Sequence, residues 1–167
     1  MHQSTMRGSS VFYILLAALL FTACAPAFPR EAMDRVDQHL SFKNLQSDPD
    51  QFKGTWAMLG GDIIAVKNAQ DGTSIEVLQK PLDSNGRPLD TDYSEGRFLI
   101  HTVQYLDPAV YQPGRPITII GEVTGYRIME IDEMSYRYPL LDEKFIYLWK
   151  PSAGPQLFFG IGVSGHM

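Results

Sequence analysis

Beyond residue 54 the chain alternates between short strand-like runs and turn-forming residues, and this pattern limits the fold more than any other feature. The runs are rich in Ile, Val, Thr and Tyr, and Gly, Pro, Asn and Asp separate them, as in antiparallel β proteins. Asp71-Gly72 lies between two such runs and predicts a hairpin. The predicted strands are residues 55–59, 62–68, 73–79, 96–105, 117–124, 126–131, 136–141 and 144–149.

This number of strands fits a single domain, for which a chain of 167 residues has room. About seven strands predict an all-β fold: a small antiparallel, partly closed, OB-like β-barrel preceded by one or two short helices. A β-sandwich is the alternative. Gly60-Gly61 predicts a bend or bulge, and Gly125 marks a point where the chain can coil sharply.

The helical prediction concerns the segment before the strands. Asp48 suits an N-cap, Pro49 the first helical position, and Gly54 the stop. We expect one or two helical turns that pack three apolar side chains on the barrel, namely Phe42, Leu45 and Phe52.

The N-terminus carries an export signal. Residues 1–10 are polar with one basic residue, and residues 11–21 form an apolar run that is too short to span a bilayer. The small residues before Cys24 are similar to a bacterial lipobox, although Phe21 stands where an aliphatic residue is usual. We therefore predict four segments: a lipoprotein signal peptide (1–23), a lipidated tether (24–40), a β-barrel domain (41–150) and a Gly-rich C-terminal tail (151–167).

Cys24 is the only cysteine, so intrachain disulfides and thiolate metal sites are excluded. A free thiol is unusual in an exported protein, and acylation of Cys24 with S-diacylglycerol and an N-acyl chain would remove it. Ala25 follows where Asp would signal inner-membrane retention, which favours the outer membrane, with the domain facing the periplasm. There are two alternatives. The first is an ordinary signal peptide cut after Ala23 or Ala25, and the second is an uncleaved anchor.

The net charge of −5 argues against nucleic-acid binding, since phosphate recognition needs a basic surface. We predict no cofactor other than the covalent lipid and no metal site. The expected partners are the outer membrane, through the anchor, and an envelope protein or glycan that the sequence does not identify.

Several motifs of the body occur in an order that is similar to one known family. They are LGGDII at residues 59–64, IEVL at 75–78 with PLD at 81–83, GRFL at 96–99, YLDPAVY at 105–111, ITIIG at 117–121 and YLW at 147–149. With the lipobox, they resemble the Slp family of bacterial outer-membrane lipoproteins over about residues 42–149. The resemblance implies an envelope location, an association with stress and no established enzymatic activity.

Four polar residues are candidates for chemistry, but each has a simpler interpretation. Asp107, before Pro108, is expected to form a turn rather than to act as an acid. His101 lies within a strand, away from other histidines. Arg97 and Arg115 each follow a glycine at a strand start and are expected to be solvated or ion-paired. We therefore predict a protein without catalytic residues.

Four aromatic residues alternate along two predicted neighbouring strands: Tyr136, Tyr138, Tyr147 and Trp149. Their simplest role is packing of the barrel with their polar ends in water. The alternative is a possible ligand face that binds a glycan or lipid, as OB-like faces do. The sequence thus predicts a non-enzymatic envelope lipoprotein, with a glycan- or lipid-binding module as the alternative function.

Overall fold

The structure, a computed structural model, describes residues 26–151. The predicted signal peptide, Cys24 and all of the predicted tail after Pro151 lie outside this range. Two short α-helices come first, α1 (Arg30–Met33) and α2 (Phe42–Ser47), followed by a 3₁₀ turn, η1 (Pro49–Phe52). The five strands are β1 (Trp56–Ala69), β2 (Gly72–Gln79), β3 (Arg97–Thr102), β4 (Pro116–Ile131) and β5 (Met134–Leu148).

The strands form a closed barrel in the order β1-β2-β3-β5-β4, with β4 pairing back to β1. All pairs are antiparallel except β3 and β5, which run parallel with Leu99 opposite Leu140. The predicted all-β, OB-like barrel is confirmed, although the part of the β4–β5 hairpin beyond Gly125 pairs only within the hairpin. The sandwich alternative is wrong.

The strands are fewer and longer than the sequence pattern indicates. Gly60-Gly61 does not interrupt β1. A Cβ on Gly61 would overlap the carbonyl oxygen of Leu78, so Gly61 permits the close approach of β2, and Gly60 does the same for the carbonyl oxygen of Ile117 in β4. Gly125, at a φ of +132°, lies within β4 at a register shift against β5. The separate runs predicted at 117–124 and 126–131 are therefore one bent strand, and those at 136–141 and 144–149 are likewise joined in β5.

Alternating side chains of the strands fill the barrel. In β2, Thr73, Ile75, Val77 and Gln79 are buried while their neighbours are half-buried. The predicted hairpin is present, but its turn is formed by Gln70 and Asp71, one residue earlier than predicted, with Ala69 opposite Gly72. The result is a single core of apolar side chains, drawn from all five strands and from α2.

The 3₁₀ turn η1 lies where the pattern from Asp48 to Gly54 predicts a helical turn, whereas α2 precedes that pattern and has a cap of its own. Ser41 caps α2 by accepting a hydrogen bond from the backbone N–H of Asn44 at 3.2 Å. Asp48 makes no side-chain cap bond, and η1 covers a single turn from Pro49. Phe42 and Leu45 are buried in the core, and Phe52 packs against it, as predicted.

Part of the predicted tether packs on the barrel, beginning with Phe28. Phe28 and Ala32 are buried, and they form a second apolar cluster with Ile120 on the outside of β4. Val36 forms an isolated parallel bridge with Trp56 at the start of β1. Residues 26–40 therefore belong to the folded domain, because their apolar side chains cover the outer face of the barrel.

Candidate functional site

The four aromatic residues of the predicted ligand face lie in two separate pairs. Tyr136 and Tyr138 meet edge-on with ring centroids 4.8 Å apart, and Tyr147 and Trp149 meet at 4.4 Å. The register of β5 against β4 shifts twice between the two pairs. Each shift interrupts the strict alternation of side chains between the two faces of a strand. The spacing of the four aromatic residues in the sequence therefore does not place them on one common face of β5.

The first pair is tied into the barrel by hydrogen bonds. The hydroxyl of Tyr138 donates to Glu76 Oε1 at 2.9 Å, and Arg97 donates to the same oxygen, also at 2.9 Å. The hydroxyl of Tyr136 accepts from the backbone N–H of Arg97 at 2.9 Å and from the amide of Gln46. These bonds join β5 to β2, β3 and α2.

The environment of this network changes the pKa of two of its members. Burial, together with the hydrogen bond to Glu76, raises the pKa of the Tyr138 phenol above its ordinary value. Burial acts to lower the pKa of Arg97, but hydrogen bonds with Glu76 and Tyr138 outweigh it and leave that pKa raised. Tyr138 is 1% exposed and offers no ring face to a ligand.

The second pair lines a groove between the N-terminal segment and the barrel. Trp149 donates its indole N–H to Thr118 Oγ1 at 2.9 Å, and Thr118 donates to the carbonyl of Gly86 at 2.7 Å. Tyr147 is 39% exposed, and its ring centroid lies 6.1 Å from that of Phe28. We call this cavity of about 820 Å³ the N-terminal groove; its apolar lining includes Phe28, Met33, Val36, Met58, Leu82 and Trp149.

The polar candidates of the sequence have structural partners. The Asp107 carboxylate accepts the backbone N–H of Ala109 at 2.8 Å, which confirms the predicted turn. Arg115 donates to the carbonyls of Trp149 and Val110. His101 Nδ1 lies 3.4 Å from Asp142 Oδ1. Arg97 is ion-paired with Glu76, as predicted.

A smaller cavity, of about 300 Å³, lies over β2 and β3 beneath the start of the β4–β5 hairpin. Its polar lining includes Lys67, Ser74, Glu76, His101 and Arg127. Sequence reasoning missed this group because its members come from four strands, and no local motif joins them. It lies on the strand 2–3 face that OB folds use for ligands.

Within residues 26–151, no cluster of three or more His, Cys, Asp or Glu side chains is arranged to hold a metal ion. The same part of the chain contains no helix that is long and apolar enough to cross a bilayer.

Comparison with known proteins identifies the family. The model of the outer membrane lipoprotein Slp family matches residues 21–158, which include the whole barrel. The chain belongs to this family. The resemblance found in the sequence motifs is therefore confirmed, and with it the assignment to outer-membrane lipoproteins.

Two relatives come from Escherichia coli strain K12. The uncharacterized lipoprotein YeaY is 32% identical over 97 residues, covering 58% of this chain and 50% of YeaY. The outer membrane protein Slp is 29% identical over 139 residues, covering 81% of this chain and 72% of that protein. The match thus spans about half the length of YeaY.

A solved structure, the small single-stranded DNA-binding protein from Streptomyces coelicolor, is also similar. It shares 13% identity and a TM-score of 0.35, covering 57% of this chain and 94% of that one. A similarity at this level carries no argument about function.

Proposed function

We propose that this Slp-family protein is a non-enzymatic envelope lipoprotein, anchored in the outer membrane through an acylated Cys24, with its barrel on the periplasmic side. The observation that carries the proposal is the position of the fold relative to Cys24. Pro26 already lines the N-terminal groove, and Phe28 is buried on the barrel. A lipid on Cys24 would hold the domain directly at the membrane surface.

Membrane attachment through lipid requires more than one chain. A single acyl chain gives marginal binding, whereas the S-diacylglycerol and N-acyl chains of a bacterial lipoprotein together anchor stably. The experiment is palmitate labelling with membrane fractionation of the full chain, wild type against Cys24→Ala. We expect labelled protein in the outer membrane for wild type and no label for Cys24→Ala. Labelling that persists in Cys24→Ala contradicts the anchor.

The periplasmic orientation and the envelope- and stress-associated role are part of the same proposal. The net charge of −5 agrees with a domain that does not bind anionic headgroups or nucleic acid. The candidate acids and bases engage backbone groups or ion-pair partners, which supports a non-enzymatic role. Protease that degrades the domain only after the outer membrane is permeabilised would support this orientation; degradation in intact cells would contradict it.

A lipid-binding module is the second candidate function, and the N-terminal groove favours it over a glycan-binding one. Tyr147 and Trp149 line this cavity beside aliphatic and thioether side chains, whereas buried Tyr138 has no free ring face for a sugar. A brominated fatty acid bound in the groove would quench Trp149 fluorescence in the Cys24→Ala protein, which carries no lipid of its own. The Trp149→Phe variant, which keeps only Trp56, is the control and should lose most of the quenching. Equal quenching in both would place the fatty acid elsewhere.

A further inference from the structure

The N-terminal groove offers a hydrocarbon chain a partly apolar lining, to which the polar residues Gln38, Ser84 and Asn85 also contribute. Its walls combine aliphatic, thioether and aromatic side chains. Two carboxylates, those of Asp37 and Asp83, also border it, but each accepts backbone hydrogen bonds within its own turn. An elongated apolar ligand would therefore lie along the apolar part of the lining, beside two carboxylates that already accept backbone hydrogen bonds.

The groove lies at the point where the lipid would be attached. Pro26 and Ala27 are among its lining residues, and Cys24 precedes Pro26 by two positions. Two residues of extended chain span at most about 7 Å, which is the longest separation possible between the Cα atoms of Cys24 and Pro26. Acyl chains attached to Cys24 therefore start within a short distance of the groove.

We propose that the N-terminal groove holds one acyl chain of the lipid carried by Cys24. The inference rests on the acylation proposed above and names the ligand of the lipid-binding module. The chain exchanges one apolar environment, the bilayer, for another, while the groove lining is removed from water, which is favourable. Attachment through Cys24 adds a high effective concentration without a further contact.

The remaining acyl chains would stay in the bilayer, so the protein is held by two kinds of contact. One chain inside the groove fixes the barrel at the membrane surface with Trp149 and Tyr147 next to the lipid. Aromatic residues with one polar end are favoured at the boundary of hydrocarbon and water. The indole N–H of Trp149 keeps its partner, Thr118, in this arrangement.

A photo-cross-linking experiment tests the occupant. Cells that express the full chain are grown with a diazirine fatty acid, and the protein is purified and reconstituted in an excess of unlabelled phosphatidylethanolamine and phosphatidylglycerol vesicles. After irradiation, mass spectrometry maps the adducts. We expect intramolecular adducts on peptides that contain Phe28, Met58 or Trp149.

Two matched variants show whether the adducts depend on the groove. Gln38 is exposed and lines the groove, so Gln38→Trp partly fills it without removing a core side chain. Gln70 is exposed in the β1–β2 turn and does not line the groove, so Gln70→Trp is the control. The adduct yield should fall several-fold in Gln38→Trp and stay unchanged in Gln70→Trp.

The outcomes separate this inference from the proposed function. If the lipid on Cys24 is labelled but cross-links only to vesicle lipid, the proposed anchor stands and the groove inference is overturned. A second arm uses unlabelled protein in vesicles of diazirine phosphatidylethanolamine. If adducts on the groove peptides form only with the labelled vesicle lipid, the groove binds bilayer lipid, and the proposal that it holds the acyl chain of Cys24 is overturned. Absence of label from the protein would overturn acylation, and the inference with it.

Discussion

Tyr136 and Tyr138 near the start of β5, and Tyr147 and Trp149 at its end, share the same spacing of two residues but have different surroundings. The first pair is inside a network with Glu76 and Arg97, where Tyr138 is 1% exposed. The second pair borders the N-terminal groove, where Tyr147 is 39% exposed. The same alternating aromatic pattern thus stabilises contacts between strands in the first pair and lines a surface groove in the second.

This comparison makes truncation of Tyr138 the most damaging change in either pair. Tyr138→Ala should lower the free energy of unfolding by about 3–5 kcal/mol, as expected for a buried aromatic side chain cut back to Ala. Tyr147→Ala, at a half-exposed position, should cost about 0.5–1.5 kcal/mol. Urea unfolding of both full-length variants in the same detergent measures the difference. Equal losses would remove the distinction between the pairs.

A milder substitution distinguishes the contribution of the Tyr138 hydroxyl from that of its ring. Tyr138→Phe removes the hydrogen bond to Glu76, whose carboxylate keeps Arg97 as a partner. A hydrogen bond to a charged group contributes about 1.5–3 kcal/mol, so the variant should unfold at lower urea than wild type but at higher urea than Tyr138→Ala. A loss as large as that of Tyr138→Ala would assign the role of Tyr138 to its hydroxyl alone.

The same variant has a pH signature. The pKa of Tyr138 is raised in the folded state, so the phenol of the unfolded chain loses its proton first. The stability that Tyr138 contributes is complete below its unfolded pKa of about 10 and is lost as pH rises through the folded pKa. Wild type should therefore lose more stability above pH about 10 than Tyr138→Phe does.

Tyr105→Phe is the matched control for this pH dependence, since Tyr105 is 74% exposed. Its alkaline loss of stability should follow that of wild type. If Tyr105→Phe and Tyr138→Phe flatten the profile equally, the Glu76 network is not the source of the effect.

The sequence allowed the barrel to be predicted because local signals of turns and strands agree with it. The Asp71-Gly72 signal is the clearest case, since it located the hairpin between β1 and β2 to within one residue of its turn, Gln70-Asp71. The number of strands was wrong for the same local reason. Gly60 and Gly125 are breakers in sequence terms, but in the barrel they permit close packing and bending within continuous strands.

The candidate sites were less predictable, because they depend on contacts that are distant in the chain. Glu76 and Tyr138 are 62 positions apart, and only the barrel closure brings them together. The groove requires residues of the predicted tether to pack against β1 and β4, which the prediction of a tether at 24–40 did not indicate. The four aromatic residues were predicted as one alternating set, and the two register shifts in β5, which the sequence does not reveal, divide them into two separate pairs.

The smallest predicted effect tests how the groove pair is held. Trp149 donates to Thr118, which is itself buried, so the indole is anchored by one hydrogen bond beyond its ring contacts. A double-mutant cycle of Trp149→Phe and Thr118→Val should give a coupling energy of about 0.5–1.5 kcal/mol, the contribution of one neutral hydrogen bond. Urea unfolding of the two single variants and the double variant measures it. A coupling near zero would mean that ring packing alone holds Trp149, and that the groove pair is anchored differently from Tyr138, whose hydroxyl bond to Glu76 is part of the core network.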